Sequence, residues 1–180
     1  TATDASCFAG IDGNISVTVT GGAIPYSYNW SDGSSSAARN NIPAGTYGLT
    51  VTDVNGCTTS CTTTIGQPEL LSVICSATAA DCAQPNSGSL STNVTGGVAP
   101  YEYLWSDGNT SGQRTEVAAG FYLITVTDAN GCVAVCQTEV QAANSPLLIL
   151  NTQQPACPGE PGLISSQIFG GVAPFTYQWS

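Results

Sequence analysis

The 180-residue sequence contains no histidine and no lysine, and its two basic residues are both arginines. Twelve acidic residues give it a net charge of −10 at pH 7. Clusters of lysine and arginine bind nucleic acids and anionic membrane surfaces, so this composition argues against both as partners. The absence of histidine also removes the commonest general base and the commonest metal ligand.

Long apolar runs and helical patterns are missing as well. No run approaches the roughly 18 apolar residues of a membrane span, so we expect no membrane insertion in this segment. No stretch repeats apolar residues with the 3.6-residue period of a helix. Without histidine there is no Ser-His-Asp arrangement, and the scattered carboxylates form no recognisable acid/base pair. We therefore predict that the chain is not an enzyme.

The sequence does contain one stretch written three times: GGAIPYSYNWSDG from residue 21, GGVAPYEYLWSDG from residue 96 and GGVAPFTYQWS from residue 170. The spacing is 75 residues, as Trp30 and Trp105 show (105 − 30 = 75). Solenoid repeats have about 20–50 residues, so a longer repeat should be a domain with its own core. We predict one repeat over residues 1–68, a second over 69–146 and an incomplete third over 147–180.

Aromatic residues alternate with other residues inside each copy of this stretch. Successive side chains of a strand point to opposite faces, so the rings share one face. The residues concerned are Tyr26, Tyr28 and Trp30, then Tyr101, Tyr103 and Trp105, and then Phe175, Tyr177 and Trp179. We predict that this face belongs to the structural core, and a sugar-stacking platform is the alternative for the tryptophans.

Short alternating segments separated by Gly, Pro and Asn predict β-strands. Asn-Gly at residues 55–56 and 130–131 predicts tight hairpin turns, because these residues tolerate left-handed backbone conformations. The predicted strands cover residues 14–20, 26–30, 46–52 and 57–65, residues 89–95, 101–105, 121–127 and 132–140, and residues 147–150 and 165–169. Residues 31–41 are predicted as a polar loop or weak edge strand. The fold class is all-β: tandem antiparallel β-sandwich domains, immunoglobulin-like in size and joined end to end, with a barrel as the alternative.

The two hairpin turns also carry a weak calcium signal. Asp53 and Asn55, like Asp128 and Asn130, match the start of a calcium loop, but no acidic ligand follows at the EF-hand distance. Such Asp-x-Asn-Gly segments are most often Asx turns. We predict turn-forming roles, with calcium as the minor alternative and no other metal or cofactor.

The only cationic side chains, Arg39 and Arg114, occupy equivalent positions in the two repeats (114 − 39 = 75). One interpretation is a ligand-binding arginine. The other is a structural partner for a nearby acid or carbonyl. We favour the structural role.

Eight cysteines in small repeats of low charge predict disulfides in an oxidising compartment. Zinc is the alternative, but the sequence has neither a histidine nor a C-x₂-C knuckle. Cys57 and Cys61 cannot bridge each other in a strand, since four residues of strand span about 13 Å and a disulfide allows roughly 7 Å between Cα atoms. Each needs a partner from elsewhere.

Two motifs, TGG-x-x-PY-x-Y-x-WSDG and AGTY-x-x-TVTD-x-NGC, resemble the SprB repeat of surface adhesins in gliding and other Bacteroidetes. The resemblance implies an extracellular repeat module of a very long, type IX-secreted cell-surface protein used in adhesion or gliding. Cys61, Cys75 and Cys136 depart from a plainer repeat that carries only a pair like Cys7 and Cys57. They suggest a more heavily stapled stalk.

We predict that the disulfides form within each repeat, because the cysteine that opens a repeat is the natural partner of its hairpin cysteine. The predicted pairs are Cys7–Cys57, Cys82–Cys132 and, from the remaining cysteines, Cys75–Cys136. Cys61 and Cys157 then have no partner in the chain. A Cys61–Cys75 bond between adjacent repeats is the rival pairing.

The predicted function is a structural and adhesive repeat segment, a stalk or fibre, of a long secreted bacterial cell-surface adhesin. The alternative is a carbohydrate-binding module or an accessory module of a secreted enzyme. Expected partners are neighbouring repeats of the same chain, followed by surface polysaccharide and lateral self-association into a fibre. The third repeat lacks the strands opposite its aromatic face, so we expect a longer array, or completion by strands of a neighbouring molecule. The expected location is extracellular, on the bacterial cell surface.

Overall fold

The computed structural model describes residues 1–82, 84–142, 147–153 and 163–169, together with 171, 174–176 and 178. This part of the chain contains fourteen β-strands and no helix. The paired strands run antiparallel to each other. The all-β antiparallel class predicted from the sequence is confirmed.

Residues 1–68, the first repeat, build two three-stranded sheets. The strands are β1 (Ala2–Thr3), β2 (Gly13–Ser16), β3 (Ser27–Trp30), β4 (Ala38–Ile42), β5 (Gly45–Thr52) and β6 (Thr58–Ile65). One sheet has the order β1-β2-β4 and the other has the order β3-β5-β6. The hairpin of β5 and β6 has an unbroken register from Gly45 opposite Ile65 to Thr52 opposite Thr58.

The core of the first repeat lies between these two sheets. On β5, the buried side chains Tyr47, Leu49 and Val51 alternate with more exposed ones, as period-two patterning requires. The buried cluster draws on both sheets: Ile15 and Ile42 from one, and Trp30, Tyr47, Leu49, Val51 and Ile65 from the other. The predicted β-sandwich is therefore present in the first repeat.

Residues 69–146, the second repeat, repeat this strand order. The strands are β7 (Ser72–Thr78), β8 (Gly88–Thr95), β9 (Glu102–Trp105), β10 (Gln113–Val117), β11 (Gly120–Thr127) and β12 (Val133–Val140). The sheet orders β10-β8-β7 and β12-β11-β9 reproduce those of the first repeat. Beyond them, β13 (Leu147–Gln153) and β14 (Leu163–Phe169) form a two-stranded antiparallel sheet.

The chain forms two compact units whose limits differ from the predicted repeat boundaries. The first unit contains Thr1–Cys75, Thr92–Ser111 and Leu123–Cys136; the second contains Ser76–Ser91, Gly112–Tyr122 and Gln137–Ser180. In the second-repeat part of the first unit, the buried apolar residues are Leu71, Trp105, Ile124 and Val126. In the second unit they are Ala80, Leu90, Val117 and Val140. The repeat boundaries stay a prediction.

Several strands differ from the sequence expectation. β2 ends at Ser16, although the alternation continues to residue 20; Val17 and Val19 still pack against the core. β4 occupies part of the predicted polar loop over residues 31–41. β7 was not predicted, because the exposed Ile74 interrupts the apolar–polar alternation of that segment. Tertiary packing decides strand limits in these places.

Candidate functional site: the cysteine-bearing hairpins

The turn between β11 and β12 is organised by one carboxylate. Oδ1 of Asp128 accepts hydrogen bonds from the backbone N–H groups of Asn130 (2.9 Å) and Cys132 (2.8 Å), and Oδ2 accepts one from Val98 (2.9 Å). Gly131 has a φ of +83°, a conformation that glycine adopts without steric cost. The turn therefore holds Cys132 in a fixed position at the end of the hairpin.

The first repeat has the same turn between β5 and β6. Oδ1 of Asp53 accepts from Asn55 (2.9 Å) and Cys57 (2.8 Å), and Oδ2 accepts from Ala23 (3.1 Å). Gly56 has a φ of +85°. Both predicted hairpin turns are present, and their aspartates bind backbone N–H groups as Asx turns do.

Burial and hydrogen bonding act in opposite directions on Asp128. Only 4% of the residue is exposed, and this burial raises the pKa of its carboxyl group. Hydrogen bonds from Val98, Cys132 and Asn130 lower it, and the net pKa lies below the usual aspartate value. Backbone donors likewise lower the pKa of Asp53, with Ala23 the largest contributor. Both turns thus favour an ionised aspartate.

We expect Asp128→Asn to destabilise the protein at pH 7, because the amide removes a charge and presents an N–H group where a carboxylate accepts hydrogen bonds. A lowered pKa means that ionised Asp128 stabilises the fold above the unfolded pKa of about 3.9. This contribution is lost as the pH falls through the lower folded pKa. Thermal unfolding between pH 7 and pH 2 should show a lower melting temperature at pH 7 and a weaker acid dependence.

Glu102→Gln is the control for Asp128→Asn, because it removes one carboxylate charge from an exposed position on β9. It should leave the melting temperature nearly unchanged. Asp53→Asn should have an intermediate effect, since Asp53 is only half-buried. Identical unfolding curves for Asp128→Asn and Glu102→Gln would contradict the role of the buried carboxylate.

Calcium binding at these turns stays a prediction. The carboxylate oxygens of Asp53 and Asp128 are occupied by backbone N–H groups. Among the described residues, no three acidic or cysteine side chains come together closely enough to hold a metal ion. The geometry is that of two self-contained turns.

A loop of the first repeat, residues 5–10, meets the hairpin of the second repeat inside the first compact unit. The loop is held by its own repeat: Ala5 N–H donates to the Gly66 carbonyl (3.0 Å) and Ala9 N–H donates to Gln67 Oε1 (2.8 Å). Ser6 N–H donates to Asp12 Oδ1 (3.0 Å). The side-chain hydrogen bond from Ser6, followed by this backbone one, lowers the pKa of Asp12. The loop thus presents Cys7 on a supported backbone.

The covalent contact at this place is a disulfide between Cys7 and Cys132, with 5.8 Å between the Cα atoms. Beside it, Asn130 Nδ2 donates a hydrogen bond to the Ser6 carbonyl (2.7 Å). The two bonds tie the opening loop of the first repeat to the hairpin turn of the second.

The disulfide Cys7–Cys132 corrects the predicted pairings Cys7–Cys57 and Cys82–Cys132. The prediction placed each opening cysteine with the hairpin of its own repeat, whereas the loop of the first repeat reaches the hairpin of the next repeat. A second disulfide joins Cys75 on β7 to Cys136 on β12, with 6.0 Å between the Cα atoms. This pairing is the one predicted from the sequence, and the rival Cys61–Cys75 bond is not formed.

The hairpin of the first repeat carries two free and exposed thiols, Cys57 and Cys61. Their equivalents in the second repeat, Cys132 and Cys136, are half-buried and disulfide-bonded. Cys82 is exposed. The two hairpins therefore differ in what covers them rather than in how they fold.

The aromatic strands place their tryptophans in the interior. Trp30 is 3% exposed and Trp105 is 1% exposed. Their indole N–H groups donate to the carbonyls of Ser36 and Ser111, both at 2.8 Å. The tyrosines that alternate with them, Tyr26, Tyr28, Tyr101 and Tyr103, are half-buried. Buried rings cannot stack on a sugar, so Trp30 and Trp105 are core residues here.

The third copy of the aromatic stretch is only partly described. Phe175 is half-buried. Tyr177 and Trp179, together with Cys157, lie outside the described residues.

The two arginines contact aromatic rings. Arg39 forms a bidentate pair with Asp32, with 2.7 Å from Nη1 to Oδ1, and its guanidinium carbon lies 5.5 Å from the centre of the Trp30 ring. The hydrogen bond from Arg39 lowers the pKa of Asp32. Arg114 lies 5.6 Å from the centre of the Tyr122 ring. Both arginines thus have the kind of partners expected of a structural role.

Comparison with known proteins gives one family and a set of distant structures. The family model of the SprB repeat matches residues 1–35 and 76–110, so the resemblance predicted from the sequence is confirmed and the motif occurs twice at the 75-residue spacing. No curated protein matches the chain.

The solved structures that match are immunoglobulin-domain proteins and a surface-layer protein. The amphioxus IgVJ-C2 molecule is 11% identical, with 77% of this chain and 99% of that chain covered and a TM-score of 0.36. A Dscam isoform structure is 14% identical, with 78% and 43% covered and a TM-score of 0.36. The surface layer protein SbsC, domains 4–9, is 14% identical, with 89% and 31% covered and a TM-score of 0.26.

The SprB match shows a repeat of the type found in cell-surface proteins of Bacteroidetes. It points to a structural, non-enzymatic repeat domain. The described residues include no helical segment with the length and apolarity of a membrane span.

Proposed function

We propose that this chain, which carries the SprB repeat twice, is a structural and adhesive stalk segment of a long secreted bacterial surface adhesin. The observation that carries the proposal is the Cys7–Cys132 disulfide, which links successive repeats covalently. A segment that only positions other domains needs resistance to pulling more than it needs a binding cavity. An inter-repeat bond supplies that resistance.

Two further features support this function. The net charge of −10 disfavours collapse of neighbouring stalks onto one another and fits an exposed extracellular surface. Both disulfides fit an oxidising extracellular compartment. Type IX secretion and gliding belong to the same proposal through the SprB resemblance.

A gene replacement tests the stalk function. In one strain this segment is deleted in frame, and in another it is replaced by an unrelated disulfide-bonded β-sandwich array of equal length. We expect deletion to reduce attachment of cells to surfaces, and the replacement to restore it. An antibody against the segment should label intact cells that carry the wild-type gene. Attachment that only the native segment restores would contradict a spacer role.

A carbohydrate-binding role is the second candidate, favoured by an open groove of about 470 Å³ beside β9. Its lining includes Tyr101, Tyr103 and Thr125. Half-buried tyrosine rings beside hydroxyl groups can contact a sugar. Binding of the purified chain to a bacterial polysaccharide array, lost in Tyr103→Ala, would favour this role over the spacer.

A further inference from the structure

The hairpins of the two repeats are equivalent, but only the second has its cysteines paired. Cys132 is bonded 125 residues upstream and Cys136 is bonded 61 residues upstream. The same offsets from the first hairpin lead to position −68 for Cys57 (57 − 125) and to position 0 for Cys61 (61 − 61). Both positions lie upstream of Thr1. One rule therefore accounts for both free thiols of the first repeat.

We propose that the first hairpin, residues 53–61, is a docking site for a preceding copy of this repeat. The docking contact is a disulfide from Cys57 to the preceding repeat's equivalent of Cys7. A second disulfide joins Cys61 to a cysteine at the position just before Thr1, as Cys75 joins Cys136. The inference deepens the proposed stalk function, because it extends one inter-repeat bond into a ladder.

The docking surface is already formed without its partner. Asp53 orders the first turn through the same three types of backbone hydrogen bond that Asp128 makes in the second. The φ values of Gly56 and Gly131 differ by only 2°, +85° against +83°. The sulfur of Cys57 is consequently presented on the same turn geometry as that of Cys132, and docking requires no refolding of the hairpin.

Differences in exposure show which part is uncovered. Cys57 and Cys61 are exposed, whereas Cys132 and Cys136 are half-buried. Asn55 is exposed as well, and its equivalent Asn130 donates its side-chain amide to the Ser6 carbonyl. The first hairpin thus offers the thiol and the amide that the second hairpin uses to hold an opening loop. The partner that fits both is another loop of the same sequence type.

Each new bond requires two thiols and a disulfide oxidant, here oxidised glutathione. One cysteine thiolate attacks the glutathione disulfide, which breaks its S–S bond and releases one glutathione thiol. The second cysteine thiolate then attacks the mixed disulfide and releases the other. The two cysteines lose two electrons and two protons, and one oxidised glutathione becomes two reduced molecules.

A tandem extension tests the proposal with the whole chain intact. Residues 1–75 span one period, so a copy of them fused before Thr1 places a second Cys7 at position −68 and a second Cys75 at position 0. The added copy carries Cys57→Ser and Cys61→Ser, so the chain's own hairpin thiols are the only ones of their kind. The extended chain is folded in a glutathione redox buffer, alkylated, and mapped without reduction.

In the 180-residue chain we expect alkylation of both Cys57 and Cys61. In the extended chain we expect alkylation of neither, with Cys57 bonded to the added Cys7 and Cys61 to the added Cys75. Changing the added Cys7 to serine should restore alkylation of Cys57 alone, which separates the inter-repeat bond from a bond to the chain's own Cys7.

The proposal is overturned if Cys57 remains alkylated in the extended chain while Cys7–Cys132 is present, since that bond shows correct folding of the neighbouring contact. A bond between Cys57 and Cys61 would overturn it too. The map reads sulfur pairing alone, so a failed attachment experiment in cells and a failed docking experiment are separate results.

Discussion

Reduction of the disulfides should lengthen the fully unfolded chain under tension by about 450 Å. In the oxidised chain, force applied at the two ends passes from Cys7 directly to Cys132, and the 125 residues of sequence separation are bypassed. An extended residue contributes about 3.6 Å, which gives the expected length. Single-molecule stretching with and without reductant measures this difference.

Two serine variants sharpen the force experiment. In Cys7→Ser the load passes through Cys75–Cys136, which bypasses 61 residues, so the oxidised chain should gain 64 residues (125 minus 61), or about 230 Å. Cys75→Ser should leave the oxidised length unchanged, because Cys75 lies inside the segment that Cys7–Cys132 already bypasses. A gain in Cys75→Ser, or none in Cys7→Ser, would contradict the inter-repeat bond.

The same bond should dominate stability against denaturant. A closed loop of this size removes unfolded-state entropy worth about 5 kcal/mol in the chain-entropy model. That value is comparable with the whole free energy of unfolding of a small domain, roughly 5–15 kcal/mol. A stalk locked in this way resists both extension and unfolding, which links the disulfide to the proposed function.

Local patterns were sufficient to predict the strands and turns of the hairpins. The alternation in residues 46–52 predicted β5 to within one residue, since β5 spans Gly45–Thr52. Asn-Gly at residues 55–56 and 130–131 predicted turns whose glycines have positive φ. These features depend on neighbours in sequence, where side-chain direction and backbone sterics act directly.

The disulfide partner of Cys7 could not be predicted in this way. Cys57 and Cys132 occupy identical sequence contexts 75 residues apart, so no local pattern favours one over the other. The choice depends on where the loop of residues 5–10 lies after folding, and this loop is fixed by Gly66 and Gln67 at the far end of the repeat. Pairing between repeats is therefore a tertiary property.

The different environments of equivalent residues also escape the sequence. Asp128 is buried and Asp53 is half-buried, although each makes three backbone hydrogen bonds through its carboxylate. The second hairpin has an opening loop against it, held through Asn130 and Cys132. A repeat sequence predicts the same turn twice, and only the structure shows which copy is covered.

Replacing Trp105 by alanine should cost about 3–5 kcal/mol of unfolding free energy, the range for large aromatic-to-alanine changes in a core. The side chain is 1% exposed, so truncation leaves a cavity and removes apolar burial. It also removes the donor to the Ser111 carbonyl. Trp105→Phe keeps a ring and loses this hydrogen bond, and should therefore cost less than Trp105→Ala.

Leu104→Ala provides the matched control, because Leu104 precedes Trp105 on β9 and points to the opposite face, where it is 54% exposed. It should change stability by no more than about 0.5 kcal/mol. Urea unfolding followed by far-ultraviolet circular dichroism measures all three variants. If Trp105 were a sugar-binding platform, Trp105→Ala would keep wild-type stability and lose polysaccharide binding. A stability loss in Trp105→Ala alone, with Trp30→Ala behaving alike, instead identifies the repeated tryptophan as the residue around which each sandwich packs.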